Sequence, residues 1–264
     1  MLALIAGTGV LPDELVSHLA ERPLICALEG FEPERLHPDI TFPLEHLGSF
    51  IADLKARGVT NICMAGAVRR PKIDPGRIDA QTAPLVPIIQ QALVSGDDGA
   101  LRAVIGVLEG AGLQVQAAHQ IAPDLLPPLG CLTQTHPTEA ELADANRAVG
   151  VLRAMGAADI GQACVVHQGQ VLAVEGAFGT AWMLQSLAAR PDAGGGILFK
   201  GPKPGQDRRA DLPAIGPDTV TGAVAAGLTG IVIEKGGVIV LDRTQVIAEC
   251  DRLGLFLHVH ERAV

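Results

Sequence analysis

LALIAGTGVLPDELVSHLAE, residues 2–21, begins as an unbroken apolar run, stops at Gly-Thr-Gly, and resumes with Leu11, Leu15 and Leu19 at helical spacing. Strand, glycine turn and helix in that order make the first half of a βαβ unit, and the alternation continues. LICALEG (24–30), ITFPLE (40–45) and NICMAGAV (61–68) are further short apolar segments. SFIADLKARG, before the last of them, reads as an amphipathic helix ended by Gly58. Apolar strands separated by helices at this spacing imply a parallel sheet covered on both faces. Helices are expected in APLVPIIQQALVSG beyond Pro87 and in GALRAVIGVLEGAG, after which LQVQAAHQI (113–121) returns as a strand.

The stretch at residues 122–138, APDLLPPLGCLTQTHPT, carries four prolines and no sustained period, which marks a boundary. The expected organisation is an N-terminal Rossmann-like domain over 1–125, a linker over 126–137, and a C-terminal α/β catalytic domain with a mixed sheet over 138–264. The second domain opens on the helix TEAELADANRAVGVLRAMG, with Thr138 as cap and Glu141 completing a capping box. ACVVHQGQVLAVEG reads as a β-hairpin. GTAWMLQSLAAR is then a helix, GILFK a strand, and PDTVTGAVAAG a helix with Pro217 in its first turn. GIVIEKGGVIVL repeats the hairpin pattern, DRTQVIAECDRLG is a helix, and LFLHVH closes the sheet.

Composition narrows the function. With 264 residues, 48% of them apolar, the chain can fill a sizeable core. A net charge of −9 and an aromatic content of 3% without tyrosine disfavour nucleic acid as a partner. The five cysteines are widely scattered, the N-terminus lacks the basic flank of a signal peptide, and no apolar run approaches the roughly 20 residues of a membrane span. The expectation is a cytoplasmic protein with free, buried thiols.

Several segments bear residues suited to phosphate chemistry. Gly7 and Gly9 follow a strand and precede a helix, so their amides face either a phosphate or only a tight turn; Pro12 replaces the third glycine of a dinucleotide fingerprint. Arg69 and Arg70 lie just past NICMAGAV, at the edge where open parallel sheets hold ligands, or else in a solvated loop. Asp97 and Asp98 stand between two helices, as caps or with one of them in a catalytic or metal role. The densest block is FKGPKPGQDRRADLPAIGPDTV, residues 199–220. Lys200, Lys203, Arg208 and Arg209 there suit phosphate oxygens, Gln206 lies among them, and Asp207 and Asp211 suit a hard cation. A charged solvated loop is the alternative. Glu175 ends the strand VLAVEG before a helix that begins Gly179-Thr180, and Thr219 starts another helix. Serine-hydrolase and P-loop signatures are missing, and no histidine or cysteine spacing makes a zinc site.

LIAGTGVLP, AGAVRRP, SGDDGALRAV, DIGQACVV, AVEGAFGT and above all KPGQDRRADLPAIGPDTV resemble the LpxI-type UDP-2,3-diacylglucosamine pyrophosphatases of lipid A biosynthesis, over essentially the whole chain. The resemblance implies Mg2+-dependent hydrolysis of UDP-2,3-diacylglucosamine to UMP and 2,3-diacylglucosamine 1-phosphate, lipid X. It also implies a two-domain homodimer with lipid X held between the domains, working peripherally at the cytoplasmic face of the inner membrane. Glu175, Asp207 and Asp211 are then the candidate catalytic and metal carboxylates, with Lys203, Arg208 and Arg209 for phosphate charge. The pattern implies Gly-Thr-Asp where this chain has Gly179-Thr180-Ala181, so the chain is expected to be an inactivated variant that keeps its binding surface; a natural substitution is the alternative. Acyl chains need an apolar groove, for which PLVPIIQQALV, LRAVIGVLEGAG and the region of Phe178, Trp182, Met183 and Leu184 are candidates. A non-catalytic nucleotide or lipid-phosphate binding protein and a dinucleotide oxidoreductase are the competing classes.

Overall fold

A computed structural model describes residues 1–69, 71–94, 97–203, 205, 207–209 and 212–261; the side chains of residues 92–94, 97 and 98 lie outside the description. The chain divides into two compact α/β units, Met1–Pro123 with Asp207–Asp211, and Asp124–Gln206 with Leu212–Val264.

The first unit runs β1 (Leu2–Ala6), α1 (Leu11–Ser17), β2 (Leu24–Leu28), β3 (Ile40–Phe42), α2 (Leu47–Ala56), β4 (Asn61–Ala65), α3 (Val86–Val94), α4 (Asp97–Gly110), β5 (Gln114–Gln116) and α5 (Ala118–Ile121). The described strands form a parallel sheet in the order β3-β2-β1-β4-β5. Phe50 and Leu54 of α2 and Ile105 and Leu108 of α4 close over Ala3, Cys26, Ile62 and Val115 of the sheet. The fully apolar middle strands demand this covering, because neither of their faces tolerates water.

LQVQAAHQI is only partly a strand. β5 stops at Gln116, where the Gln120 side chain accepts the Ala117 amide at 2.9 Å and turns the chain into α5.

The second unit runs β6 (Gly130–Cys131), α6 (Glu139–Ala157), β7 (Ala163–His167), β8 (Gln170–Val174), α7 (Gly179–Leu187), β9 (Ile197–Lys200), β10 (Ala214–Ile215), α8 (Pro217–Ala225), β11 (Gly230–Glu234), β12 (Ile239–Val240), α9 (Arg243–Leu253) and β13 (Phe256–His260). Its main sheet is mixed, in the order β6-β13-β11-β9-β7-β8. Strand alternation sorts the core: Ile197, Phe199 and Val232 face α6, while Leu198, Ile231 and Ile233 join the cluster containing Met183 of α7, Val220 of α8 and Val246 of α9. The capping box at the start of α6 is present, with Glu141 accepting the Thr138 amide at 2.7 Å and Thr138 accepting that of Glu141 at 3.3 Å.

β7 and β8 form the expected hairpin. GIVIEKGGVIVL does not. β12 leaves β11 and pairs in parallel with β10, and the chain at Gly237 passes so close to Pro202 that a Cβ there would lie 2.6 Å from its ring. Within the proline-rich stretch, β6 adds an antiparallel edge to β13 that its lack of periodicity gave no reason to expect.

Candidate active site

In a sheet of order β3-β2-β1-β4-β5 the switch point lies between β1 and β4, where ligands bind in open α/β folds. Here the two strand ends join. The Thr8 amide donates to the Ala67 carbonyl at 3.0 Å and the Ala67 amide to the Thr8 carbonyl at 2.8 Å. Gly66, at φ +93°, approaches so closely that a Cβ would meet the Gly7 carbonyl carbon at 2.7 Å. The Gly7 amide donates to Ala65 and the Gly9 amide to the Glu34 carboxylate at 2.9 Å. The amides of Gly-Thr-Gly are thus engaged within the protein, and Gly7 and Gly66 serve close backbone packing. Arg69 is exposed beyond β4; Arg70 lies outside the described residues.

The charged block divides between the units. Asp207, Arg208 and Arg209 group with the first. There Asp207 receives the Arg209 guanidinium on both carboxylate oxygens, at 3.0 and 2.7 Å, and Arg209 also reaches Glu109. That guanidinium, as a hydrogen-bond donor, holds the Asp207 carboxyl below the ordinary aspartate range. Burial, then the Arg208 charge, lowers the pKa of His119. Asp211 and Gln206 lie outside the described residues, as do the side chains of Asp97 and Asp98.

The second unit keeps Lys200 and Lys203. Lys203 pairs with Asp159 at 2.6 Å. Lys200 ends β9, and alternation turns it toward α7, where it is only 8% exposed. Its ammonium donates to the Thr180 hydroxyl at 2.8 Å, and that hydroxyl donates to Glu175 Oε2 at 2.7 Å. Glu175, 9% exposed, follows β8 with its amide on the Ala163 carbonyl at 2.8 Å. This approach depends on Gly161, where a Cβ would fall 2.3 Å from the Glu175 carbonyl oxygen. A buried cation, a hydroxyl and a buried carboxylate thereby form one relay at the start of α7, which opens on Gly179 at φ +79° with no side-chain cap. Buried charges of opposite sign persist where hydrogen bonds satisfy them, and such a pair can exchange its partner for a substrate oxygen or a water.

Of the sequence candidates, the structure brings Glu175, Thr180 and Lys200 together, with Ala181 exposed in the next position of α7. Thr219 acts as a cap, its hydroxyl accepting the Gly216 amide at 3.2 Å. Sequence reasoning missed Gly161 and Asp159, whose partners are set by pairings far along the chain.

A divalent cation finds no ready cage among the described residues. No three His, Cys, Asp or Glu side chains gather as ligands there, Glu175 Oε2 is held by Thr180, and Asp207 is held by Arg209. Among the described residues no helix is long and apolar enough to cross a membrane.

Comparison with known proteins completes the picture. Residues 1–125 match the family model described as the LpxI N-terminal domain, and residues 128–258 match that of the LpxI C-terminal domain. The UDP-2,3-diacylglucosamine pyrophosphatase LpxI of Caulobacter vibrioides is 39% identical over 268 residues, covering 97% of this chain and 96% of that protein.

Proposed function

The chain belongs to the LpxI family, and from that membership we propose that it is a pyrophosphatase acting on UDP-2,3-diacylglucosamine, with UMP and 2,3-diacylglucosamine 1-phosphate as products. The observation that carries this reading to particular residues is the relay of Lys200, Thr180 and Glu175. In the reaction, water adds its oxygen to one phosphorus, the bridging oxygen leaves with the other, and a proton is released. A diphosphate brings negative charge that Lys200 offsets, and Glu175, oriented through Thr180, accepts the proton of the attacking water. Asp207, Asp211, Lys203, Gln206, Arg208 and Arg209, with Gly7, Gly9, Arg69, Arg70, Asp97, Asp98 and Thr219, stand as further candidates for substrate or ion.

Mg2+ dependence, a homodimeric state and peripheral work at the cytoplasmic face of the inner membrane belong to the same proposal, supported by the family alone. The described carboxylates build no complete cation site, so the ion's ligands are left unassigned. Ala181 departs from the Gly-Thr-Asp pattern, and its position beside Thr180 supports reading it as the place of a lost carboxylate that weakens turnover.

The test is UMP release from UDP-2,3-diacylglucosamine by this chain and by Ala181→Asp, each with Mg2+ and with EDTA. Faster release by the variant, abolished by EDTA, is expected. Tight binding of substrate with no UMP from either protein would favour a non-catalytic lipid-phosphate binding protein instead.

A further inference from the structure

The chain enters the second unit at Asp124, and residues 130–136 then lie as a strap along β13. Gly130 and Cys131 pair with Val259 and His258. The Leu132 amide donates to the Leu257 carbonyl at 2.9 Å, and the Leu257 amide to the buried Thr133 hydroxyl, also at 2.9 Å. The Gln134 amide donates to Asp251 of α9 at 2.7 Å. Beyond these the strap turns on itself, with the Thr133 hydroxyl on the Thr135 carbonyl, and His136 follows. β6 is two residues long, so the strap can part from β13 while the longer strands stay paired.

His258 stands at the middle of this contact. It shares a face of β13 with His260, the ring centroids 6.0 Å apart, and its Nδ1 is buried with no hydrogen-bond partner among the described residues. With the proton on Nε2 the neutral ring needs no acceptor there. A second proton makes Nδ1 a buried donor facing none. Around the ring the strap brings Cys131 and His136, β13 brings His260, and β11 brings the aliphatic Val232 as register partner. The carboxylates gather at His260 instead. Glu234 is its register partner, and Glu261, paired with Lys235, favours its charged form, while His260 Nε2 stands 3.2 Å from Asn146 Oδ1 on α6. Burial, then the charges of His260 and His136, hold His258 below its ordinary value of 6.5.

We propose that His258 is a pH-sensitive catch, whose protonation releases the strap from β13 and adds residues 130–136 to the free connection between the two units. The sign follows from the depressed value in the docked state. Docking is strongest above 6.5 and weakens as pH falls from there to the docked value, where the loss is complete. At pH 5.5, one unit below the ordinary value, release is favoured by at most about tenfold over neutral pH. The inference is independent of the hydrolase reading.

The experiment follows amide hydrogen exchange in the full chain from pH 7.5 to 5.5, corrected for the intrinsic pH dependence of exchange, with 15N-labelled histidine reporting when His258 titrates. Protection of the Leu132, Gln134 and Leu257 amides is expected to fall by about three- to tenfold in step with His258, while β11 stays protected. His258→Leu removes the titrating group and should keep the strap protected throughout; His258→Gln serves the same purpose if the leucine variant does not fold. Constant strap protection in the parent, or loss at a pH where His258 does not titrate, overturns the proposal. So does an equal loss in a folded variant, or one that extends equally to β11, which is unfolding of the whole unit.

Discussion

Replacing Thr180 with valine keeps the branched shape and removes the hydroxyl between Lys200 and Glu175. Both charged groups are less than a tenth exposed, so neither recovers full hydration. A hydrogen bond to a charged group contributes about 1.5–3 kcal/mol, and two are lost. Lys200 has a further interaction that softens the loss, so about 2–4 kcal/mol is expected from the second unit. With a urea dependence of about 1–3 kcal/mol per molar, the midpoint falls by on the order of 1 M or more. Trp182, the chain's single tryptophan, lies two residues further along α7, so its fluorescence follows this unit during denaturation. Thr180→Ser keeps the hydroxyl and is expected to stay close to the parent. A Thr180→Val midpoint within about 0.2 M of the parent, which at that urea dependence is well under 1 kcal/mol, would refute the relay. So would a serine variant that falls as far as the valine one.

Gly66→Ala combines a positive φ, costing about 1–3 kcal/mol, with a Cβ driven against the Gly7 backbone, so circular dichroism should report a lower melting temperature for the first unit. Thr138→Ala removes one side of the capping box of α6 and is expected to cost about 1 kcal/mol in urea denaturation. Burial pushes the thiols of Cys26, Cys63, Cys164 and Cys250 up to about 12, so Ellman's reagent should titrate at most Cys131 in the native protein and all five thiols in guanidinium. The Asp207 carboxyl is lowered, so its pairing with Arg209 stabilises the fold above the ordinary value of 3.8 and is lost as pH falls through the depressed pKa; Asp207→Asn should flatten stability against pH in that acidic window.

Local pattern carried most of the architecture. The apolar run of β1, the glycines after it and the leucine spacing of α1 are short-range signals, and the parallel sheet follows from their repetition. Where pairing partners lie far apart, pattern failed. Gly236-Gly237 reads as a hairpin turn, yet Ile239–Val240 pairs with Ala214–Ile215, more than twenty residues back along the chain, while Gly237 packs against Pro202. In Gln114–Ile121 a single side-chain hydrogen bond from Ala117 to Gln120 separates strand from helix. The same limit governs the site. Glu175, Thr180 and Lys200 each stand at an element end that periodicity could locate. Their convergence depends on the β7–β9 register, which sets Ala163 against Lys200 and through it the place of Glu175.

The grouping of Asp207–Asp211 with Met1–Pro123 means the chain passes from one unit to the other three times. Cutting the gene once, near codon 125, cannot therefore yield an intact N-terminal fragment: Glu109 would keep its carboxylate and lose Arg209. Supplying the short charged segment in trans, as a synthetic peptide, is the complement such a fragment would call for.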